Sequence, residues 1–466
     1  MAHPGIEGRP LRVAVIGAGP AGFYTAEHLF RQPGLAVEVD LYDRLPTPYG
    51  LVRFGVAPDH QKIKSVTATF DKTAAHPGFR FFGHVDLGKD VTIDDLRAHY
   101  HQIVYTTGAQ TDRRMGIPGE DLQRSHPATD FVAWYNGHPD YQEHHFDLSQ
   151  EHVAVVGVGN VAVDVVRILC RTPEELASTD ITDQALAALR ESRVREVHLL
   201  GRRGPAQASF TNPEIRELGE LPGADVVARP DETEPDPLTR AELKPSKDRG
   251  TLKKVEILRD YARRALSGKP RRLVIRFLVS PVALQGNDEG AVVSMRLVKN
   301  ELQATAAGTL QARATDRFED LPASLVFRSV GYRGVPIPGV PFNDAGGVIL
   351  NDKGRVLDPD SREPRAGEYA AGWIKRGPSG VIGTNKPDAA ETVACMMEDA
   401  ARDRVLAPSE PESGAALALV QQRQPHSVSW ADWVRLDALE VERGRAVGRP
   451  RVKFVQVEEM LAALRR

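Results

Sequence analysis

Residues 11–22 read LRVAVIGAGPAG. The apolar, mostly β-branched run that contains Val13, Val15 and Ile16 stops at a turn of glycine, alanine and proline, and a helical pattern follows directly, through residue 30. Strand, glycine turn and helix in immediate succession predict a βαβ unit that binds a dinucleotide. Gly17 permits the tight turn, Gly19 lets the backbone approach a pyrophosphate, and Gly22 lets helix and strand pack closely. Ala21 lies in the same turn. The helix N-terminus turns its unpaired N–H groups toward the phosphates. A second strand over residues 37–41 leads into Tyr42 and Asp43. An acid at that strand end accepts hydrogen bonds from a ribose, so Asp43 is the expected ribose partner.

The pattern returns at residues 153–171. Four apolar residues precede Gly157, Val158, Gly159, Asn160, Val161 and Ala162, and a helix is predicted after them. This is the variant with alanine at the third small position. The next strand, residues 194–200, ends in Gly201-Arg202-Arg203-Gly204. Two guanidinium groups suit a 2′-phosphate, which an acid would repel, so the second nucleotide is expected to be NADP(H) rather than NAD(H). The competing reading of Arg202 and Arg203 is a pair of solvated side chains in a turn. A polar insertion, residues 172–192, lengthens this unit beyond the usual spacing.

Composition narrows the class. A chain of 466 residues has room for two or three domains, and 41% hydrophobic with 26% charged residues is the balance of a globular protein. A net charge of −3 gives no field for nucleic acid, and no eighteen-residue apolar run or signal-like start occurs. A cytoplasmic protein with neither nucleic-acid nor membrane partners is expected, and the oligomeric state stays open. The two cysteines, Cys170 and Cys395, are too few for an iron–sulfur or zinc site and form no CxxC pair; they are expected to be small buried residues.

Between the motifs, residues 44–60 hold three prolines and two glycines, an irregular but rigid segment ending in Asp59 and His60. His60 is either a group that titrates near neutrality or a loop histidine bonded to backbone or to Asp59. Residues 63–75 read as one helix. An apolar strand at residues 102–105 closes on Thr106-Thr107-Gly108-Ala109, and Asn212-Pro213-Glu214 reads as a helix start with Asn212 as N-cap. Residues 244–272 carry eleven basic side chains, from Lys244 to Arg272, against three acids: a solvated face or a docking patch for an acidic protein. Another strand and glycine loop lie at residues 368–386, and a strand is expected at residues 451–455.

Five long segments together carry a resemblance: PTPYGLVRFGVAPDH (46–60), GVGNVAVDVVRIL (157–169), GRRGPAQASFTNPE (201–214), SVGYRGVP (329–336) and AGWIKRGPSGVIGTNK (371–386). Over essentially its whole length the chain resembles the adrenodoxin-reductase type of ferredoxin–NADP(+) reductase, bacterial branch. The resemblance implies an α/β fold with two Rossmann-like dinucleotide-binding domains (three-layer ββα/βα). The NADP domain (residues 112–335) would be inserted in a discontinuous FAD domain (1–111 and 336–466, the latter with a C-terminal extension). By matching position, Ala21, Asp43, Leu51, Val85, Arg113, Trp373, Gly380, Val381 and Ile382 would contact FAD. Val158, Gly159, Asn160, Val161, Arg202, Arg203 and Glu214, with Gly380, would contact NADP. His60, Asp164 and Glu214 match residues near the flavin–nicotinamide region, as catalytic or tuning groups. The implied reaction passes hydride from NADPH to flavin N5 and single electrons on to a ferredoxin-type iron–sulfur protein, for which residues 244–272 are the candidate docking segment. An NADPH diaphorase that reduces quinones and a non-catalytic NADP(H) sensor are the rival functions; no cysteine pair supports a disulfide reductase.

Overall fold

Strands whose side chains are apolar toward both faces must be covered on both faces. The structure, a computed structural model that describes residues 4–243 and 248–465, buries them in two parallel sheets. The chain forms two compact units: Met1–Val56, His60–Thr111 and Tyr332–Arg466 make the first, Ala57–Asp59 and Asp112–Gly331 the second. In chain order, the first unit opens with β1 (Leu11–Ile16), α1 (Pro20–Phe30), β2 (Val37–Asp43), β3 (Phe79–Gly83) and β4 (Gln102–Tyr105). The second begins with β5 (Ser125–Pro127), β6 (His152–Val156), α2 (Asn160–Cys170), β7 (Glu196–Leu200), α3 (Asn212–Leu218) and β8 (Ala224–Ala228). It continues through α4 (Arg249–Arg263), β9 (Arg271–Arg276), β10 (Val279–Gly286), β11 (Val292–Ala304), β12 (Leu310–Pro322) and β13 (Leu325–Arg328). β14 (Asn351–Asp352), β15 (Arg355–Leu357), β16 (Pro364–Ala370), α5 (Asn385–Ala400) and α6 (Trp430–Arg445) return to the first unit.

The first sheet has the order β14-β15-β16-β4-β1-β2-β3, parallel from β16 to β3 and antiparallel at its β14–β15 edge. The second, β5-β13-β6-β7-β9-β8, is parallel throughout. Strand periodicity divides each core in two. Leu11, Val13 and Val15 of β1 face α1 with Phe23 and Leu29, while Ala14 and Ile16 face Tyr100 and Ile103. In the second unit Val153 and Val155 pack on Val163 and Val166 of α2. Ala154 and Val156 pack on Met295 and Leu297, which belong to a separate antiparallel sheet, β10-β11-β12. That sheet replaces a helical layer and gives the unit three layers. Both units are Rossmann-like. Among the described residues no helix is long and apolar enough to cross a membrane.

Three local expectations fail, each because a side chain takes a backbone group. Residues 63–75 form two helices, Gln61–Lys64 and Thr67–Ala74; the Ser65 hydroxyl donates to the Lys62 carbonyl, and tight bonds such as Val66 N–H to Ile63 O interrupt the helical ladder. Residues 451–455 make no strand. Two of their N–H groups go to one residue of α6: Val452 N–H to the Glu440 carbonyl at 2.9 Å and Phe454 N–H to its carboxylate at 2.9 Å. The N-cap before Glu214 is Thr211, not Asn212, whose amide instead donates to Gly250 O at 2.9 Å.

Glu440 also closes a buried ion pair with Arg53 of the short helix Leu51–Phe54, Arg53 donating to both carboxylate oxygens at 2.5 and 2.8 Å. The two side chains are 0% and 3% exposed. Burial alone would raise the Glu440 carboxyl, but the charge and hydrogen bonds of Arg53, then Arg451 and the Phe454 N–H, outweigh it and hold it below its ordinary value. Breaking a buried pair from one side strands the other charge, at about 3–5 kcal/mol. A folded-state carboxyl held low contributes stability that is complete above its unfolded value and disappears as pH falls through its folded value. Glu440→Gln is therefore expected to lower the unfolding free energy at pH 7 by about 3 kcal/mol. The deficit should shrink below pH ~4; a deficit that is the same at pH 7 and in acid would contradict this.

Candidate functional site

At the carboxyl end of the first sheet, the register Ile16↔Tyr42 sets the glycine turn beside the end of β2, and Gly17 N–H donates to Tyr42 O at 2.8 Å. Gly17 has φ +111°, and a Cβ there would lie 2.8 Å from Thr106 O; one on Gly22 would lie 2.2 Å from Gly17 O. Neither position admits a side chain. Gly19 is different: it is the N-cap of α1, no side chain caps that helix, and a Cβ on it would meet nothing within 4 Å. The helix start thus faces open space with its first amides uncapped by any side chain, the cradle an anionic group needs.

Asp43 has a structural role that the sequence did not imply. Its two oxygens accept N–H bonds from Ala18 at 2.8 Å and Leu45 at 3.0 Å, so it ties the glycine turn to the next segment. Burial pushes its carboxyl up, and the N–H groups of Leu45 and Ala18 oppose the rise. Each oxygen keeps a second acceptor site for a hydroxyl. Gly50 stands close by, its Cβ position 3.1 Å from Gly19 Cα, and Leu51 begins the helix after it. Val85 donates its N–H to Asp43 O and is buried.

The glycine loop after β16 reaches the same place. Gly372 has φ +79°, and a Cβ on it would come within 2.5 Å of Ala21 Cβ. Trp373, half-buried, donates its indole N–H to Ser379 O at 3.1 Å and packs beside Tyr332, ring centroids 5.6 Å apart. Beyond it Gly380 and Val381 are exposed, Ile382 is half-buried, and α5 also starts without a side-chain cap. Gly17, Gly19, Ala21, Gly22, Asp43 and the Gly372 loop are thereby brought together in the first unit. His60 is half-buried, as N-cap of Gln61–Lys64.

The second unit repeats the construction. Gly157 N–H donates to Leu200 O at 2.9 Å, a Cβ on Gly157 would lie 2.1 Å from Ser329 O, and Gly159 N-caps α2 with no side-chain cap. Here a second loop closes over the turn. Val158 O accepts N–H bonds from Ser209 and Phe210, and the Asn160 side chain accepts one from Thr211 at 2.9 Å. Val161 packs, half-buried, against the core. That second loop carries the arginines: Arg202 is exposed, and the Arg203 guanidinium donates to Gln207 O at 3.3 Å and Leu310 O at 3.5 Å. Arg113 is exposed, its N–H on Gly331 O.

Asp164 and Glu214 meet on a residue the sequence did not single out. Arg167 of α2 is 0% exposed. It donates to Asp164 at 2.7 Å, to Glu214 at 3.2 Å and to both oxygens of Asp59 at 2.8 and 3.1 Å. Burial would lower its pKa, but the charges of Asp164, Asp59 and Glu214 win and raise it. The i,i+3 spacing of Asp164 and Arg167 was a legible signal for the first of these contacts; the others join residues far apart in sequence.

The basic run is largely spent inside the unit. Lys253, Arg259 and Arg272 pair with Glu256, Glu234 and Glu196; Lys254, Arg264 and Lys269 donate to backbone carbonyls. Arg249 and Arg263 are exposed, while Lys244 and Lys247 lie outside the described residues.

The profile of the family described as "Pyridine nucleotide-disulphide oxidoreductase" matches residues 11–217. The NADPH-ferredoxin reductase FprA of Mycobacterium tuberculosis is 45% identical over 461 residues, 97% of this chain and 99% of that one. The mitochondrial NADPH:adrenodoxin oxidoreductase of Arabidopsis thaliana is 41% identical, over 98% and 95%. The solved structure of Mycobacterium tuberculosis FprA in complex with NADPH superposes with a TM-score of 0.91 at 44% identity, covering 98% of this chain and all of that one. The disulphide chemistry in the family's description has no residues here, since Cys170 and Cys395 are both free and buried.

The two first-unit glycines separate folding from binding. Gly19→Ala, at φ −85° with open space ahead, should leave the melting temperature of the cofactor-free protein within about 2 °C of wild type but weaken retention of a bound dinucleotide. Gly22→Ala, forced against Gly17 O, should lower the melting temperature itself. Thermal melts of apoprotein and reconstituted protein, run side by side, check both; a Gly19→Ala melt as low as that of Gly22→Ala would refute the distinction.

Proposed function

The chain belongs to the ferredoxin–NADP reductases of the adrenodoxin-reductase type, and on that premise we propose that its first unit holds FAD, its second NADPH, and that electrons leave for a small iron–sulfur protein. The observation that carries the assignment is the unlike chemistry after two equivalent strands: Asp43 closes β2, while Arg202 and Arg203 follow β7. An acid accepts from a ribose hydroxyl, and a guanidinium pair takes a 2′-phosphate.

FAD, when bound, supplies the conversion of a two-electron donor into single electrons for an iron–sulfur centre. The residues of the chain bind and orient. The uncapped start of α1 takes the pyrophosphate, Gly19 leaves it room, and Asp43 takes a ribose while keeping the turn in place. Ala21, Leu51, Val85, Arg113, Trp373 and the segment Gly380, Val381 and Ile382 complete our assignment of the FAD contacts. For NADPH we assign Val158, Gly159, Asn160 and Val161 at the start of α2, with Arg202, Arg203 and Glu214. Asp164 and Glu214 both accept hydrogen bonds from Arg167, which fixes their carboxylates for orienting a carboxamide; His60 is the remaining candidate near the reacting rings. The site of action in this reading is the cytoplasm.

For the acceptor, the basic segment narrows to Arg249 and Arg263, the exposed cations of α4 without an acidic partner among the described residues. Charge steering there is screened over about 10 Å at 0.1 M salt. The joint variant Arg249→Glu/Arg263→Glu should raise KM for an acidic ferredoxin several-fold and leave KM for NADPH unchanged, with the difference fading in high salt; no difference at low salt would remove α4 from the docking surface.

The test of the whole reading is spectroscopic. NADPH should bleach the yellow protein, and cytochrome c should then be reduced only when a ferredoxin is added; reduction at the same rate without ferredoxin would favour a diaphorase. The double variant Arg202→Ala/Arg203→Ala should raise KM for NADPH about a hundredfold, the loss of two charge-assisted contacts, and move KM for NADH little. Equal effects on both nucleotides would refute the 2′-phosphate assignment.

A further inference from the structure

The antiparallel sheet β10-β11-β12 matches no nucleotide motif, yet it grips the turn that carries the two arginines. The buried Asn300 of β11, 5% exposed, donates its side-chain amide to the carbonyl of Arg202 at 2.9 Å and to Ser280 Oγ of β10 at 2.8 Å. Its backbone N–H donates to Leu278 O at 2.7 Å, and Leu278 N–H donates to the carbonyl of Arg203 at 3.2 Å. The carbonyls of both arginines are therefore fixed by one short relay that runs through Asn300. Two features show that the relay is built rather than incidental. Leu278 holds φ +55°, a left-handed conformation unfavourable for leucine, and in that conformation both of its backbone polar groups are used. The β11–β12 register shifts between Val298 and Asn300, an irregularity of the kind that re-aims a side chain.

The Arg203 guanidinium is tethered from the same sheet. Its contact to Leu310 O of β12 is long, 3.5 Å, as is that to Gln207 O, 3.3 Å. Contacts of that length to uncharged carbonyls are weak and are readily exchanged for a shorter bond to an anionic phosphate oxygen. The backbone of the pair is held firmly and its charged ends loosely, which is the arrangement of a preorganised anion clamp.

We propose that Asn300 is a positioning residue for nucleotide specificity: it holds the Arg202–Arg203 turn so that the pair receives the 2′-phosphate, and part of the preference for NADPH over NADH resides in the antiparallel sheet. The proposal rests on the 2′-phosphate reading of Arg202 and Arg203. A 5′-nucleotide without the 2′-phosphate makes no use of the clamp and is indifferent to Asn300.

The experiment uses the FAD-loaded protein. Binding of 2′,5′-ADP and of 5′-ADP is measured by titration calorimetry, and kcat/KM for NADPH and NADH with ferricyanide as acceptor. Asn300→Ala should weaken 2′,5′-ADP and lower kcat/KM for NADPH about tenfold, with 5′-ADP and NADH within about twofold. Ser280→Ala, which leaves Asn300 in place but frees its amide, should move the same readouts in the same direction by a smaller factor, and it decides the question if Asn300→Ala does not fold. Unchanged 2′,5′-ADP binding in a folded variant, or equal losses for both nucleotides, overturns the proposal. Arg202→Ala/Arg203→Ala separates the two levels. If that control discriminates between the nucleotides and the Asn300 and Ser280 variants do not, the positioning role alone falls; if the control fails to discriminate, the 2′-phosphate reading falls with it.

Discussion

A helix that is to hold an anion must begin without a side-chain cap, and its first amides must face space that nothing else fills. Both units leave that start without a side-chain cap, open at Gly19 and, at Gly159, with Ser209 Oγ 3.6 Å from the Cβ position. α1 and α2 each start at a glycine, Gly19 and Gly159, with no side-chain acceptor in place, although Ser, Thr, Asp or Asn at that position would stabilise an isolated helix. The missing stability is made up by burial. β1 is wholly enclosed, and α1 and α2 bury most of their residues. Gly17, Gly22 and Gly157 follow from the same demand, since the helix must start almost in contact with the strand ends around it.

The cores are tied by arginines as well as by apolar contact. Arg53 with Glu440, and Arg167 with Asp59, Asp164 and Glu214, are joined by Arg276, which is fully buried and bonds both Glu232 and Glu319 while Lys299 also reaches Glu232. In each case a rigid, forked donor meets at least one carboxylate from a distant part of the chain. Such networks add little net stability compared with an apolar core, and their worth lies in fixing geometry. Arg276 belongs to β9 and Glu319 to β12, so this network fastens the antiparallel sheet to the parallel one, and with it the platform beneath the arginine turn.

The fold was legible because its signals are local. An apolar run, a Gly-x-Gly and a helix, met twice, fixed the strand–turn–helix units, and the unlike ends of β2 and β7 indicated unlike nucleotides. What stayed hidden depends on partners far along the chain. Nothing near Arg53 points to Glu440, and nothing near Asn300 points to Arg202. The failed strand at residues 451–455 has the same origin: its alternating Val452 and Phe454 look like a strand, but among the described residues the segment pairs with no strand, and Glu440 takes the N–H groups of those two residues instead. Asp43 was read for a ribose, and its tie to the glycine turn went unread because its bond to Ala18 bridges twenty-five residues. The basic segment was legible only as a run of charge; most of its described side chains are spent on acids and carbonyls within its own unit, which only the folded contacts reveal.

The two thiols bear on what kind of device this is. Cys170 is fully buried and burial pushes its thiol up to about 12, and Cys395 is raised for the same reason. Both stay protonated at neutral pH, and a protonated, secluded thiol is a poor nucleophile. Reducing equivalents entering this chain thus find no dithiol on which to rest between donor and acceptor. The polypeptide stores nothing of its own; it acts as a conduit, and its turnover is tied to the supply of an outside oxidant.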